Sequence, residues 1–338
     1  MTDDTGILQH ARSSIGDRRK GYTTDDNARA LLAALRFYEL QGGEKAPRLA
    51  RTYLSFLLYV QKEDGRLHNL VGYNHSFLDD WGSDDSLGRV LWACGYSQNT
   101  SIPEDFRMAA KEIFDRSLVW ALKSSSPRTQ AFAILGLYHY AKAFPEDKNP
   151  QLNMIHLADR LCEIYKQTST PKWQWFESYL TYANPRFPQA LFRAYQTTGR
   201  KDYLHIAERT LKFLVANDIV KGIYQPVGNQ SWYKRGGTKA LYDQQPLEAS
   251  CMVEAASTAF QVTGKKTYSK MAWTAFAWFM GKNSSNVMVY NPATGGSYDG
   301  ITASGLNQNQ GAEAGLSYLL ARLEMEVLRT HELQSLSK

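Results

Sequence analysis

One type of segment recurs six times along the chain, and this recurrence constrains the fold more than any other feature. Each copy is a short polar stretch that leads into a helix of small and apolar residues; the copies begin near Thr24, Ser83, Pro127, Pro185, Gln244 and Asn307. The intervals are 59, 44, 58, 59 and 63 residues. Between the copies lies a bulkier and more charged helical pattern, as in residues 46–62, 106–122 and 203–218. A regular alternation of two helix types indicates a repeat architecture.

The composition of the two helix types predicts how they are arranged. The first type is rich in alanine and glycine, for example Gly88, Gly136 and Gly315. Small residues let helices approach closely, and a helix that is apolar nearly all round is buried. We therefore predict an all-α fold, an (α/α)6 barrel or toroid of helical hairpins with the first type inside, and a single catalytic domain over residues 1–338. Only five outer helices are clear, so residues 1–20 or a long last helix would have to fill the gap.

Loop lengths predict where the functional face lies. Connections inside each helix pair are short, whereas most connections between pairs are long, namely residues 63–82, 168–184, 217–243 and 282–306. Each pair returns the chain to the same side, so the long loops should share one rim with the amino ends of the inner helices. Long ordered loops on one face of a regular scaffold usually carry function.

The rim combines aromatic, amide and carboxyl side chains. Exposed aromatic rings stack on sugar rings, while amides and carboxylates bond hydroxyl groups. For any single aromatic residue, packing of the loop onto the barrel is an equally good interpretation. A single aspartate at a helix start is often only an N-cap, but adjacent pairs such as Asp25–Asp26 and Asp84–Asp85 exceed what one cap requires.

Two carboxyl groups that flank a glycosidic bond are what glycoside cleavage requires. A helix N-terminus favours an ionised carboxylate, which suits Asp26 and Asp85 to the role of a base. A carboxyl among aromatic rings suits the role of an acid, and Glu177 lies in the segment WQWFESY. Four arginines recur near the inner-helix starts, at positions 29, 89, 128 and 186. They either orient carboxylates, grip a phosphate or a uronate, or form structural ion pairs with the neighbouring aspartates.

Three strings carry a resemblance to a known family: residues 3–31, 77–95 and 175–192. They resemble a bacterial domain found after family 4-type glycosyltransferase modules, or alone near mannoside-processing genes, which is similar to the six-hairpin glycosidases. The resemblance covers most of the chain. It implies carbohydrate chemistry and a glycosyltransferase module or gene neighbour as a partner, without naming the sugar.

One position departs from the family pattern. The fourth copy reads TYANPR where the first reads TDDNAR, so Ala183 matches Asp26 in sequence. Related sequences resemble TYDNAR here, which implies that an acid is missing at position 183. Either this chain naturally lacks that acid, or it is a variant inactivated to trap a ligand. In both cases the missing group would be a principal catalytic acid or base.

The leading hypothesis is a glycoside hydrolase that cleaves an oligosaccharide, perhaps mannose-containing, with a carboxyl pair, inverting by analogy with this barrel class. The alternatives are a non-catalytic carbohydrate-binding module serving a glycosyltransferase, and a sugar epimerase or lyase on the same scaffold. The predicted catalytic positions are Asp26, Asp85, Glu177 and Ala183. The predicted substrate-binding residues are Asp25, Asn27, Arg29, Trp81, Asp84, Trp173, Trp175, Tyr182, Asn184, Arg186, Trp232, Gln245, Glu248, Tyr298, Asn309 and Glu313.

Other classes of function find little support in the sequence. The net charge of +6 is spread without a long basic run, which argues against a nucleic-acid partner. Histidine spacing matches no zinc motif, and no nucleotide-binding loop is found, so we predict no metal and no cofactor. Three scattered cysteines, no apolar run of membrane-spanning length and no secretion signal predict a cytoplasmic protein without a membrane partner.

Overall fold

The computed structural model describes residues 1–336, and this part of the chain is dominated by eleven α-helices. Their bounds are α1 Thr24–Gln41, α2 Lys45–Val60, α3 Asp84–Gln98, α4 Glu104–Lys123, α5 Pro127–Ala143, α6 Asn149–Thr168, α7 Arg186–Thr198, α8 Lys201–Asp218, α9 Pro246–Thr263, α10 Lys266–Ala277 and α11 Ala312–Leu336. The odd-numbered helices are the six small-residue segments, and the even-numbered helices are the five amphipathic ones.

The chain divides into two compact units, Met1–Asp159 and Arg160–Lys338. The boundary falls inside α6. The prediction of one catalytic domain over residues 1–338 therefore stays a prediction, and each unit is described by itself.

In the first unit α1, α3 and α5 are buried nearly all round, whereas α2 and α4 bury one face. Glycines explain how closely α3 and α5 pack. A Cβ added at Gly95 would collide with the backbone of Gly136, and one at Gly136 would collide with the carbonyl of Leu91. The predicted close approach through small residues is thus confirmed for this helix pair.

The second unit repeats the arrangement. Helix α9 packs against α7, α10 and α11, and fifteen consecutive residues of it, Pro246–Phe260, are buried. Helix α8 packs on α7 and buries one face, which includes Tyr203, Ile206 and Leu214. The core of this unit therefore lies along α9.

Short antiparallel hairpins and pairings organise the loops. They join β1 Ala11–Arg12 to β2 Ile15–Gly16, β3 Tyr22–Thr23 to β4 Leu70–Val71, β5 Tyr179–Leu180 to β8 Tyr233–Lys234, β6 Ile219–Val220 to β7 Ile223–Tyr224, β9 Tyr290–Asn291 to β10 Gly296–Ser297, and β11 Gly300–Thr302 to β12 Gly305–Asn307.

The N-terminal segment is not the missing outer helix. Residues 1–20 form the β1–β2 hairpin and a short 3₁₀ turn. This segment is attached to the start of α1, because the Ile7 amide donates to Asn27 Oδ1 at 3.0 Å. Among the described helices, none combines the length and apolar character that spanning a bilayer would require.

Candidate active site

In the first unit a long loop covers the amino end of α1. The Thr24 amide donates to the Asn69 carbonyl at 3.0 Å, and the Thr24 hydroxyl donates to the His68 carbonyl at 2.6 Å. The Asp25 amide donates to Asn69 Oδ1 at 3.2 Å. These bonds satisfy donors that a helix start would otherwise leave unpaired, and they bring the 61–83 loop onto the predicted site.

The adjacent aspartates of α1 have different surroundings. Asp26 is 4% exposed; one oxygen accepts from the Thr23 hydroxyl at 2.8 Å and the other from Arg29 Nη1 at 2.7 Å. The Asp25 side chain keeps 25% exposure and lies between Arg29, at 2.9 Å, and Arg89 of α3. Both aspartates of α1 therefore form ion pairs with arginines, as the structural interpretation of these arginines predicts. Asp25 rather than Asp26 is the member with access to a ligand.

Helix α3 begins with the second acidic pair. Ser83 is its N-cap and accepts from the Ser86 amide at 3.2 Å. Asp84 is exposed and accepts from the Ser124 hydroxyl at 2.8 Å. Asp85 is half-buried, and among the described residues it has no hydrogen-bond or ion-pair partner. Arg89 thus links α3 to Asp25 in the first turn of α1.

Asn27 is fully buried and bonds only protein groups, with Nδ2 donating to the Thr23 carbonyl at 2.8 Å. Its position fits the role of anchoring the N-terminal segment, and ligand binding by Asn27 remains a prediction.

In the second unit the sequence match of Ala183 to Asp26 does not extend to conformation. Helix α1 begins at Thr24, before its aspartates, whereas α7 begins only at Arg186. Pro185 explains the difference, because a proline disfavours helical geometry in the residue before it. Ala183 consequently lies ahead of the helix, buried, with a left-handed φ of 51°.

Ala183 lies directly beside an acid of α9. Its amide donates to Glu248 Oε1 at 2.6 Å, and Glu248 is 3% exposed in the first turn of that helix. Left-handed backbone is tolerated by asparagine and aspartate better than by other side-chain-bearing residues. The conformation at position 183 is thus one that an aspartate would adopt readily, next to a second carboxyl.

A buried ion pair joins α7 to α9. Arg186 Nη2 donates to Glu254 Oε1 at 2.6 Å, and Nη1 donates to Gln189 Oε1 at 2.6 Å. Burial lowers the pKa of Arg186, but the neighbouring Cys251 and Glu254 more than compensate, so its pKa is raised overall. Glu254 was not among the predicted site residues. The signal that could have found it is an acid in the otherwise apolar run CMVEAAS.

The aromatic residues of the second unit divide into packed and accessible ones. Trp173 and Trp175 are 4% and 0% exposed, and both pack near Phe213. Their burial supports the packing interpretation. Tyr182 and Trp232 are half-buried with ring centroids 6.0 Å apart, and Trp232 has a φ of 62°, a strained value for a bulky residue. Such strain is concentrated at functional positions, so this pair is the better candidate for sugar stacking.

The remaining predicted residues lie around the starts of α9 and α11 or in the loop before α7. Gln245 is the N-cap residue of α9, and Glu313 is in the first turn of α11. Asn309 accepts, through its carbonyl, from the Asp299 amide at 2.8 Å. Glu177, Tyr298, Gln245 and Glu313 are half-buried, and Asn184 is buried and bonds the backbone of Thr181.

Two further groups bear on chemistry. The His68 ring stacks on Phe77 at 3.9 Å between centroids, and Nδ1 lies 2.8 Å from the Asp79 carbonyl. Tyr224 donates to the Glu248 carbonyl at 3.1 Å, and burial raises its pKa well above the ordinary value, with Asp218 and Glu248 adding to the effect. Tyr224 is therefore a neutral donor beneath Glu248. Within residues 1–336 no group of three or more potential ligands is placed to hold a metal ion.

Comparison by sequence found no matching family model and no matching curated protein. Comparison of structures gave many matches. A D-mannose isomerase superposes with a TM-score of 0.73 at 14% identity, over 98% of this chain and 93% of that one. The fold is the (α/α)6 arrangement of helical hairpins. The predicted all-α class is confirmed.

Two further matches differ in their chemistry. A sugar epimerase from a ruminal bacterium has a TM-score of 0.75 at 12% identity, over 97% of this chain and 93% of that one. An α-1,6-mannanase of Salegentibacter sp., solved as an inactive variant with two aspartates changed to asparagine and with α-1,6-mannotriose bound, has a TM-score of 0.65 at 12% identity, over 97% and 94%. At such identities these likenesses establish the fold alone.

Proposed function

We propose that this chain is an enzyme acting on oligosaccharides, and specifically a glycoside hydrolase. Its proposed reactive groups are carboxyls in the first turns of some inner helices, among them α1, α3 and α9. The observation that carries the proposal is the position of Asp25, which two buried guanidinium groups hold in place while a quarter of its side chain stays exposed. An ion pair with a purely structural role would not need an exposed carboxyl group.

The surroundings of the two first-unit acids suit different roles. Asp25, fixed by Arg29 and Arg89, is placed to orient and deprotonate a water molecule. The sequence predicted Asp85 as a base. Because Asp85 has no cation beside it among the described residues, we propose it instead as the proton donor to the leaving oxygen. Inverting hydrolysis needs this combination of a carboxylate base and a carboxylic acid. The mannanase that carries two aspartate changes and is described as inactive supports the choice of paired aspartates.

A second carboxyl pair arises when position 183 carries an aspartate. Its carboxyl would lie beside Glu248, and two close carboxyls hold one proton more tightly than a single one does. That pair provides an acid and a base within one site of the second unit. We therefore propose that Ala183 occupies a catalytic position, as the family resemblance implies. Glu177 stays a proposed acid of the same unit, and Asp26 a proposed support for Arg29.

The epimerase alternative has one observation in its favour. His68 lies over the start of α1 with its ring nitrogen directed to Asp79, and a ring proton carrier is what epimerisation at C2 would use. The odd-numbered helices, however, begin with carboxyls and arginines rather than histidines. We therefore place hydrolysis first.

The test distinguishes these reactions in one vessel. The native chain and Ala183→Asp are incubated in D₂O with neutral manno-, gluco- and galacto-oligosaccharides, beginning with α-1,6-mannotriose. Hydrolysis creates new reducing ends without deuterium at C2, whereas epimerisation introduces deuterium at C2 and leaves the chain length unchanged. New reducing ends from either protein are the expected result. Deuterium at C2 alone would favour the epimerase, and binding without any reaction would favour the binding module.

A further inference from the structure

We propose that a cavity between Trp81 and Trp120 in the first unit binds a neutral pyranose ring of the substrate. The cavity has a volume of about 320 Å³ and opens beside the first turn of α3. That volume is at the lower end of the range typical of small-molecule sites, and it suits a single sugar ring with its substituents.

Two indole rings are among the side chains that line the cavity. Trp81 is 59% exposed, and Trp120 is half-buried on α4. The Arg66 guanidinium lies across both, with its carbon 5.1 Å from the Trp81 ring centroid and 5.2 Å from that of Trp120. An exposed tryptophan next to an open cavity offers the flat apolar surface on which the C–H face of a pyranose packs.

The walls are held in place without a ligand. The Trp120 indole N–H donates to the Asp64 carbonyl at 2.8 Å, and the Asp64 carboxylate pairs with Arg66 at 2.7 Å. The Ser117 hydroxyl donates to the Gly65 carbonyl at 2.8 Å, which fixes this turn against α4. Such pre-organisation reduces the entropy lost when a ligand binds.

The rim supplies one donor and one acceptor for hydroxyl groups. Lys123 lies 5.2 Å from the Trp120 ring centroid and forms no ion pair with any residue from 1 to 336. Asp84 accepts from Ser124 through one oxygen, and no bond to its other oxygen is found in the same part of the chain. The positive charge of Lys123 balances the negative charge of Asp84, and the negative charge of Asp64 balances the positive charge of Arg66. The lining therefore favours an uncharged sugar over a uronate or a sugar phosphate.

The place of this cavity in catalysis rests on the proposed function, since only then does the bound ring belong to a substrate. Asp84 lines the cavity and Asp85 follows it in the same turn. A sugar chain with one ring in the cavity therefore passes the first turn of α3, so we expect substrates of at least two sugar units.

Calorimetric titration tests the cavity independently of turnover. The probes are α-1,6-mannotriose, cellotriose, galactotriose and the anionic trigalacturonate, titrated into the native chain, Trp81→Ala, Trp81→Phe and Lys123→Met. Trp273→Ala is the matched control, because Trp273 is 45% exposed in the other unit.

We expect at least one neutral trisaccharide to bind more tightly than trigalacturonate. Its Kd should rise about tenfold in Trp81→Ala, a loss equivalent to about 1.4 kcal/mol, should partly recover in Trp81→Phe, and should stay within about twofold in the control.

The proposal is overturned if no neutral trisaccharide binds the native chain, if trigalacturonate binds more tightly, or if Trp81→Ala and Trp273→Ala give the same Kd. Binding that depends on Trp81 without any hydrolysis would contradict the proposed function and leave the cavity assignment standing. Hydrolysis with an unchanged Kd in Trp81→Ala would contradict the cavity assignment and leave the proposed function standing.

Discussion

At the scale of single residues, the two acids of α1 differ in role: Asp26 supports the structure, and Asp25 is the proposed reactive group. Asp26 has both oxygens bonded and is buried, whereas Asp25 is partly open. The sequence predicted Asp26 as the catalytic member of the first pair and Asp25 as a substrate-binding residue, whereas the exposure of Asp25 leads us to propose Asp25 for the catalytic role. That choice depends on where Arg29 and Arg89 place their guanidinium groups, and residue spacing along one helix does not determine a contact to another helix.

Asp26→Ala should lower the free energy of unfolding by about 1.5–3 kcal/mol, because the buried Arg29 loses a charged hydrogen bond and keeps only Asp25 of its two aspartate partners. The matched control is Asp105→Ala, in the first turn of the outer helix α4, where the acid is exposed and pairs with Arg51. Its effect should be much smaller, because solvent screens an exposed ion pair. Urea denaturation measures both. Equal losses would show that Asp26 is not the structural acid described above.

Ala183 provides a second test at this scale. Glycine has no penalty at positive φ, so Ala183→Gly should change the free energy of unfolding by less than about 0.5 kcal/mol. Ala249→Gly, at an equally buried position inside α9, should cost about 1 kcal/mol or more. If the order of the two variants in thermal or urea denaturation is reversed, the left-handed conformation at position 183 is wrong.

At the scale of elements, the sequence predicted helix starts closely, but the sequence match between the fourth copy and the first does not extend to where their helices begin. The starts near Thr24, Ser83 and Pro127 agree with the structure within one residue. The fourth copy aligns by sequence with the first, yet α7 starts later because Pro185 replaces the alanine found at Ala28. The sequence also did not determine whether Trp175 is buried, because the segment WQWF is the same whether its rings pack inward or face a ligand.

Glycines set the spacing of helices α3 and α5. Gly95→Ala should lower the free energy of unfolding by about 2 kcal/mol or more, because the added methyl group would collide with the backbone of Gly136. Gly315→Ala in α11 adds a methyl group into open space and should raise stability by about 0.5–1 kcal/mol. Thermal melting measures both, and a neutral Gly95→Ala would contradict the close packing.

His331 of α11 makes the stability of the second unit depend on pH. Although the His331 side chain is largely exposed, its partial burial lowers its pKa below 6.5, and Arg193 of α7 adds to the effect. The folded state then binds fewer protons than the unfolded state near this pKa, so stability is present above about pH 6.5 and is lost as the pH falls. The loss on going from pH 7.5 to 5 should be smaller in His331→Gln. An identical loss in both proteins, measured by urea denaturation, would exclude this source.

At the scale of the whole molecule, the alternation of helix types was sufficient to predict the fold class, because the small-residue segment recurs six times and four of the five connections between helix pairs are long. The chemistry is less determined, since isomerases, epimerases and mannanases superpose on the same scaffold. We propose that the carboxyls at the starts of α1, α3 and α9 favour hydrolysis among those possibilities, and this proposal depends on their participation in bond cleavage.

The most direct measurement is kcat/KM for oligosaccharide hydrolysis by whichever of the native chain and Ala183→Asp turns over, with and without Asp25→Asn. The account predicts a loss of at least about 100-fold for Asp25→Asn, with the outer-helix control Asp105→Asn within about twofold of its parent. A protein carrying Asp25→Asn that hydrolyses as fast as the Asp105→Asn control would contradict the account.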